Sequence, residues 1–99
     1  MSTPPGSVVA IPWYSPGSYG RIVEIMADGG SFPKTHGSWR QKAIRMEREM
    51  KRQGTKPVRV ELEPDPFQRW CALQEITADS AARAQFVNEV LARRLPSTA

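Results

Sequence analysis

A single cysteine, Cys71, and a single histidine, His36, are all the chain offers of two residue types in 99 positions. One thiol cannot close an internal disulfide, and one thiol with one imidazole cannot complete a multi-cysteine or paired-histidine zinc site. The longest apolar run, Val8 to Ile11, is too short to span a membrane. No basic patch followed by an apolar run of signal-peptide length opens the sequence, so a cytoplasmic, reducing location is expected. The glycines at 17, 20, 29, 30, 37 and 54 fit neither the GxGxxG nor the P-loop spacing, and read as turns and caps. No cofactor, metal or small-molecule substrate is therefore expected, and the chain reads as non-enzymatic.

Two remaining arrangements have a catalytic form on paper. His36 and Cys71 would need hydrogen-bond contact and an orienting third group to act as a nucleophilic pair. Cys71 instead shares the apolar side of a helix with Trp70, which reads as a structural thiol, and His36 reads as a surface histidine at a helix start. Glu61, Glu63 and Asp65 lie two apart, the spacing of one strand face, where like charges raise a carboxyl pKa or attract a divalent cation. Asp65 is better placed as a helix cap, and the two glutamates as solvated side chains.

What is present in quantity is positive charge, and it is unevenly spread. Residues 1–33 carry a net charge of −1, residues 34–59 of +7 and residues 60–99 of −2. Such asymmetry bears on partners rather than on fold. Apolar content of 39% with three tryptophans suits one folded domain. A chain of this length buries roughly 60–70% of the surface it exposes when unfolded, enough for one core. Residues 1–7 read as a disordered lead-in, 8–95 as one domain and 96–99 as a tail.

Along the chain, Val8–Ile11 reads as a short strand ended by Pro12. Ser15 as cap and Pro16 as first residue open a helix whose Tyr19, Ile22, Val23 and Met26 make one apolar face, stopped by Gly29 and Gly30. Thr35 or Ser38 caps a second helix running to about Gln53 and ending at Gly54. Val58, Val60 and Leu62 alternate with charged residues, the pattern of a half-buried strand. Asp65 caps a third helix with Phe67, Trp70 and Cys71 inward. Thr77 or Asp79 caps a fourth, with Ala82, Phe86, Val87, Val90 and Leu91 inward, and Pro96 closes it. The expected fold is α+β and mainly helical, in the order strand–helix–helix–strand–helix–helix, with a two-stranded sheet packed on four helices. Tyr19, Ile22 and Val23 recur as Phe67, Trp70 and Cys71 at a shift of 48, as if each half were one unit that needs the other to bury its apolar face.

The second helix carries the best functional candidates. "SWRQKAIRMEREMKRQG" (38–54) holds six bases and two acids. At about 100° per residue, Trp39, Ala43, Met46 and Met50 fall in one arc and are expected to face the core, leaving Arg40, Arg45, Arg48, Lys51 and Arg52 on the other side. Glu47 can pair with Lys51, and Glu49 with Arg45 or Arg52, yet two acids leave a basic face. Arginine outnumbers lysine ten to four, which suits phosphate, but no aromatic residue interleaves the basic face to stack on bases. Contact with another protein is expected, with nucleic acid as the alternative partner and no membrane role. Trp13 and Tyr14, in a loop after Pro12, either cover the open end of the core or add an exposed aromatic patch, and are secondary candidates.

The segments "IPWY" (11–14), "KRQG" (51–54), "VRVELEPDPFQRWC" (58–71) and "DSAARAQF" (79–86) make the chain similar to a group of small bacterial proteins to which no activity is attached. Over residues 57–95, "PVRVELEPDPFQRW" followed by "ARAQFVNEVLARRL" also resembles ribbon-helix-helix repressors and antitoxins. That resemblance implies a dimer formed through the strand, with Arg59, Glu61 and Glu63 turned toward a DNA groove. It departs from the family in placing two acids among those readers and "EITADS" where a glycine turn belongs.

Overall fold

The computed structural model describes residues 7–94. Strand β1 (Val8–Trp13) is followed by α1 (Tyr19–Ile25), a single 3-10 turn (Gly29–Ser31) and α2 (His36–Arg52). Strand β2 (Lys56–Glu61) then leads to α3 (Pro64–Gln74) and α4 (Ser80–Arg94). The chain is α+β and mainly helical, in the expected order. Residues 1–6 of the expected lead-in and the tail at 96–99 lie outside the described residues, while the Ser7 carbonyl, just before β1, accepts from the Lys56 amide at 2.7 Å.

The two strands pair in parallel from Val8↔Lys56 to Trp13↔Glu61. Parallel neighbours need a long crossover rather than a hairpin, and α1 with α2 supply it. β1 runs past Ile11, with Pro12 opposite Val60. A proline is tolerated because both strands of a two-stranded sheet are edges. Side chains alternate between faces, so Ala10, Val58 and Val60 share one face, where α4 packs across both strands. Ile11, Arg59 and Trp13 share the other, and α2 lies against β2. α1 packs on α3. Each half thus places its second helix on the other half's strand, and the pairing offset of the strands equals the 48-residue shift between the apolar faces of α1 and α3. Ile22, Val60, Leu62, Phe67 and Val87 are the fully buried centre.

Several boundaries differ from expectation for local reasons. α1 begins at Tyr19, not at Pro16: the Ser18 amide donates to the Ser15 carbonyl at 3.2 Å, closing a turn in which Pro16 holds the second position. Proline's fixed φ suits that position as well as the first position of a helix. α1 ends at Ile25 because Met26 turns extended and the Ala27 amide leaves for the carbonyl of Ala78 at 2.8 Å. In α3 the cap position falls to Glu63 and the first position to Pro64, not to Asp65 and Pro66. Asp65 in the first turn instead takes Arg21 at 2.9 Å.

Other ends follow their signals. The Thr35 hydroxyl accepts from the Ser38 amide at 3.1 Å, and the Asp79 carboxylate from the Ala82 amide at 3.0 Å. Gly54, at φ 87°, closes α2 with paired bonds from its own amide to Lys51 and from Thr55 to Met50. α3 closes with the same pair of bonds, Glu75 to Ala72 and Ile76 to Cys71, but Glu75 occupies the left-handed position at φ 55°.

Candidate interaction surface

α2 is one unbroken rod of 17 residues, about 25 Å long. It is rotated from the orientation its apolar residues suggest. Ala43 and Glu47 face inward while Met46 is 45% exposed, which shifts the buried line by roughly 50°. Arg59 supplies the reason. Its Nε lies 2.7 Å from Glu47 Oε2 and its Nη2 2.8 Å from Oε1, a two-pronged bond that draws the glutamate against the sheet. The Arg59 bonds hold the Glu47 carboxyl below its ordinary range against the opposing effect of burial, with smaller help from Lys51 and Arg40. The same guanidinium rests 3.8 Å from the centre of the Trp13 ring, and Trp13 meets Trp39 edge-on at 4.8 Å.

This rotation decides what the basic residues do. Arg40, Arg45, Arg48, Lys51 and Arg52 are all exposed. Glu49 goes to Arg52 at 2.7 Å, and Glu47 goes to Arg59 rather than to Lys51. Among the described residues Arg40, Arg45, Arg48 and Lys51 make no ion pair. Met46, one turn from Lys42, is an apolar side chain open to solvent on the same rod, outside the arc of those four cations.

The secondary candidates separate. Tyr14 is 3% exposed and sits among Tyr19, Phe32 and Trp39, so it covers the core and reaches solvent only at the clefts it lines. Burial pushes its phenol up to about 12. Trp13 is half-buried under Arg59. It joins Tyr14, Arg40, His36, Arg59 and Glu61 around a cleft of about 580 Å³ at the end of α2, so three of the sequence candidates, Trp13, Tyr14 and Arg40, line one cleft.

His36 and Cys71 take up separate surroundings, while Glu61 and Glu63 are exposed neighbours. His36 Nε2 lies 2.7 Å from the Tyr14 carbonyl, which can only accept, so that nitrogen carries the proton. Cys71 is buried, and burial pushes its thiol pKa up, away from a reactive thiolate. Glu63 is raised, first by its hydrogen bond with Glu61, then by burial and the neighbouring charges. No group of three or more metal-binding side chains gathers among the described residues, and no helix there is long and apolar enough to cross a membrane.

Two features had no sequence signal. One is the Glu47–Arg59 fork. The other is a second fork, Arg83 Nη1 and Nη2 on the Asp28 oxygens at 2.8 and 2.9 Å, with the guanidinium 4.8 Å from the centre of the Phe32 ring. No family model, no curated protein and no solved structure matches the chain.

Proposed function

We propose that this protein is a small non-catalytic interaction domain that binds an acidic surface of another protein through the outer face of α2. The observation that carries the reading is a set of cations, Arg40, Arg45, Arg48 and Lys51, without ion-pair partners among the described residues, on a continuous rod whose Met46 is also exposed. Unpaired guanidinium groups supply steering and forked bonds to carboxylates. An exposed methionine supplies the adaptable apolar anchor that protein interfaces favour and a phosphate backbone has no use for. A partner captured by the native chain should be lost from the Arg45→Glu/Arg48→Glu double variant, and weakened by Met46→Ser, with both variants folded. Retention by both would overturn the reading.

Nucleic acid is the competing partner. The ribbon-helix-helix version of it asks β2 to pair with a second copy and to turn Arg59 toward a groove, whereas Arg59 is engaged by Glu47 and Trp13. With about five phosphates contacted, retardation of generic duplex DNA would weaken a few hundred-fold between roughly 50 and 200 mM salt. Such retardation, together with a dimeric mass by light scattering, would favour that reading over the first.

A further inference from the structure

A second cleft, of about 350 Å³, opens between the end of β1, the 3-10 turn and the first turns of α4. It is independent of the outer face of α2. Aromatic rings of Tyr14, Phe32 and Trp39 form its walls, and the Asp28–Arg83 fork lies at its polar end. We propose that this cleft binds an uncharged, flat heteroaromatic ring bearing a hydrogen-bond donor and an acceptor on one edge, the chemistry shared by nucleobases and aryl carboxamides.

Charge, hydrogen-bonding capacity and shape each support that class. The Asp28 and Arg83 charges cancel across two short bonds, and the Arg83 side chain is only 12% exposed. A charged ligand entering there would lose its hydration without finding an unpaired opposite charge, which selects for a neutral one. Two of the five guanidinium N–H groups are used in the fork, and the Asp28 carboxylate, which also takes its own backbone amide, keeps acceptor capacity on one oxygen. One ion pair at the cleft therefore keeps both donor and acceptor capacity, as an amide-like edge requires. The Tyr14 phenol stays protonated at neutral pH and adds a donor. Ring faces stack on aromatic walls regardless of substituents, and the volume lies within the usual range for small-molecule sites.

The test is titration of the full chain with uracil, adenine and nicotinamide, read by chemical shifts of the Arg83, Tyr14 and Trp39 signals. Benzoate serves as the charged control and toluene as the control without a polar edge. Uracil or adenine binding alone would assign the nucleobase, and nicotinamide alone the carboxamide. The expected result is saturable binding of at least one of the three probes with a dissociation constant below about 1 mM, an ordinary efficiency for a ring of this size. Ala84→Phe, at an exposed cleft-lining position of α4 outside the fork, should lower that affinity at least tenfold while the circular dichroism spectrum and melting midpoint stay close to native. The proposal is overturned if no probe saturates, if Ala84→Phe binds as well as the native chain, or if benzoate or toluene binds as tightly as the best probe. Should Ala84→Phe unfold, Ser80→Tyr on the same helix provides the same obstruction and the same criterion.

Discussion

Arg59 reaches from the sheet to Glu47 on α2 with two bonds of 2.7 and 2.8 Å, while its guanidinium lies over the Trp13 ring. One side chain thereby ties a strand, a helix and the aromatic cluster together. The Glu47 side chain is 9% exposed and the Arg59 side chain 45%, so the glutamate is the partner that suffers when the bond is broken.

Arg59→Met should cost roughly 2–3 kcal/mol of unfolding free energy, because it strands a buried carboxylate. The double change Glu47→Leu/Arg59→Met should recover most of that loss, since a matched apolar pair leaves nothing unsatisfied. Urea melts of the native chain, the two single variants and the double variant measure the coupling directly. Equal destabilisation in the single and double variants would show that the fork does not orient α2.

Acid should weaken the fold through the same bonds. The folded carboxyls of Glu47 and Asp28 are held below their ordinary range by Arg59 and Arg83. The unfolded chain therefore takes up protons first, and stability present above the ordinary carboxyl range is lost as pH falls through the lower folded values. Glu63 works in the opposite direction: its hydrogen bond with Glu61, then burial and the neighbouring negative charges, favour the protonated carboxyl, so acid adds stability there. Urea midpoints should drop between about pH 5 and pH 2, with a shallower drop in Glu47→Gln. Glu63→Gln should raise the midpoint at pH 7 and leave it unchanged at the acid end.

Backbone positions give a third check. Glu75 holds a left-handed conformation that costs an L-residue about 1 kcal/mol, so Glu75→Gly should stabilise by roughly 0.5–1 kcal/mol. A Cβ at Gly29 would run into the Val23 carbonyl oxygen, whereas one at Gly30 meets open space. Gly29→Ala should lose about 1–3 kcal/mol and Gly30→Ala less than about 0.5, as thermal melts can separate.

Reversing Arg45 and Arg48 to glutamate should leave stability within about 0.5 kcal/mol, because neither makes an ion pair among the described residues. Affinity for an acidic protein partner should fall at least tenfold, and native binding should weaken as salt rises. A stability loss comparable to that of Arg59→Met would mean that these arginines hold the fold rather than a partner.

Features encoded by neighbouring residues were legible in the sequence: Thr35 as a cap, Gly54 as a stop, and the alternation of Val58, Val60 and Leu62. Pro16 was ambiguous, since its fixed φ serves a turn and a helix start equally, and the turn won. The rotation of α2 was hidden, because burying Glu47 makes sense only once Arg59, twelve positions later and on another element, is in place. Met46 was assigned to the core for the same reason, and its exposure now belongs to the candidate surface. Charge and helical spacing together pick out the five basic residues, while Tyr14 is fixed as core only by rings from three separate segments. Both clefts draw their linings from distant parts of the chain, so no local pattern announces them.

The cross-covered halves bear on how the chain would behave if cut. Since α4 packs across both strands and α2 lies against β2, a break in the turn between Gln53 and Gly54 leaves one piece whose strand has lost α4 and another whose strand has lost α2. Each piece alone should stay unfolded, and mixing the two should regenerate native circular dichroism at a rate that rises with concentration, with the Glu47–Arg59 fork re-formed between separate molecules.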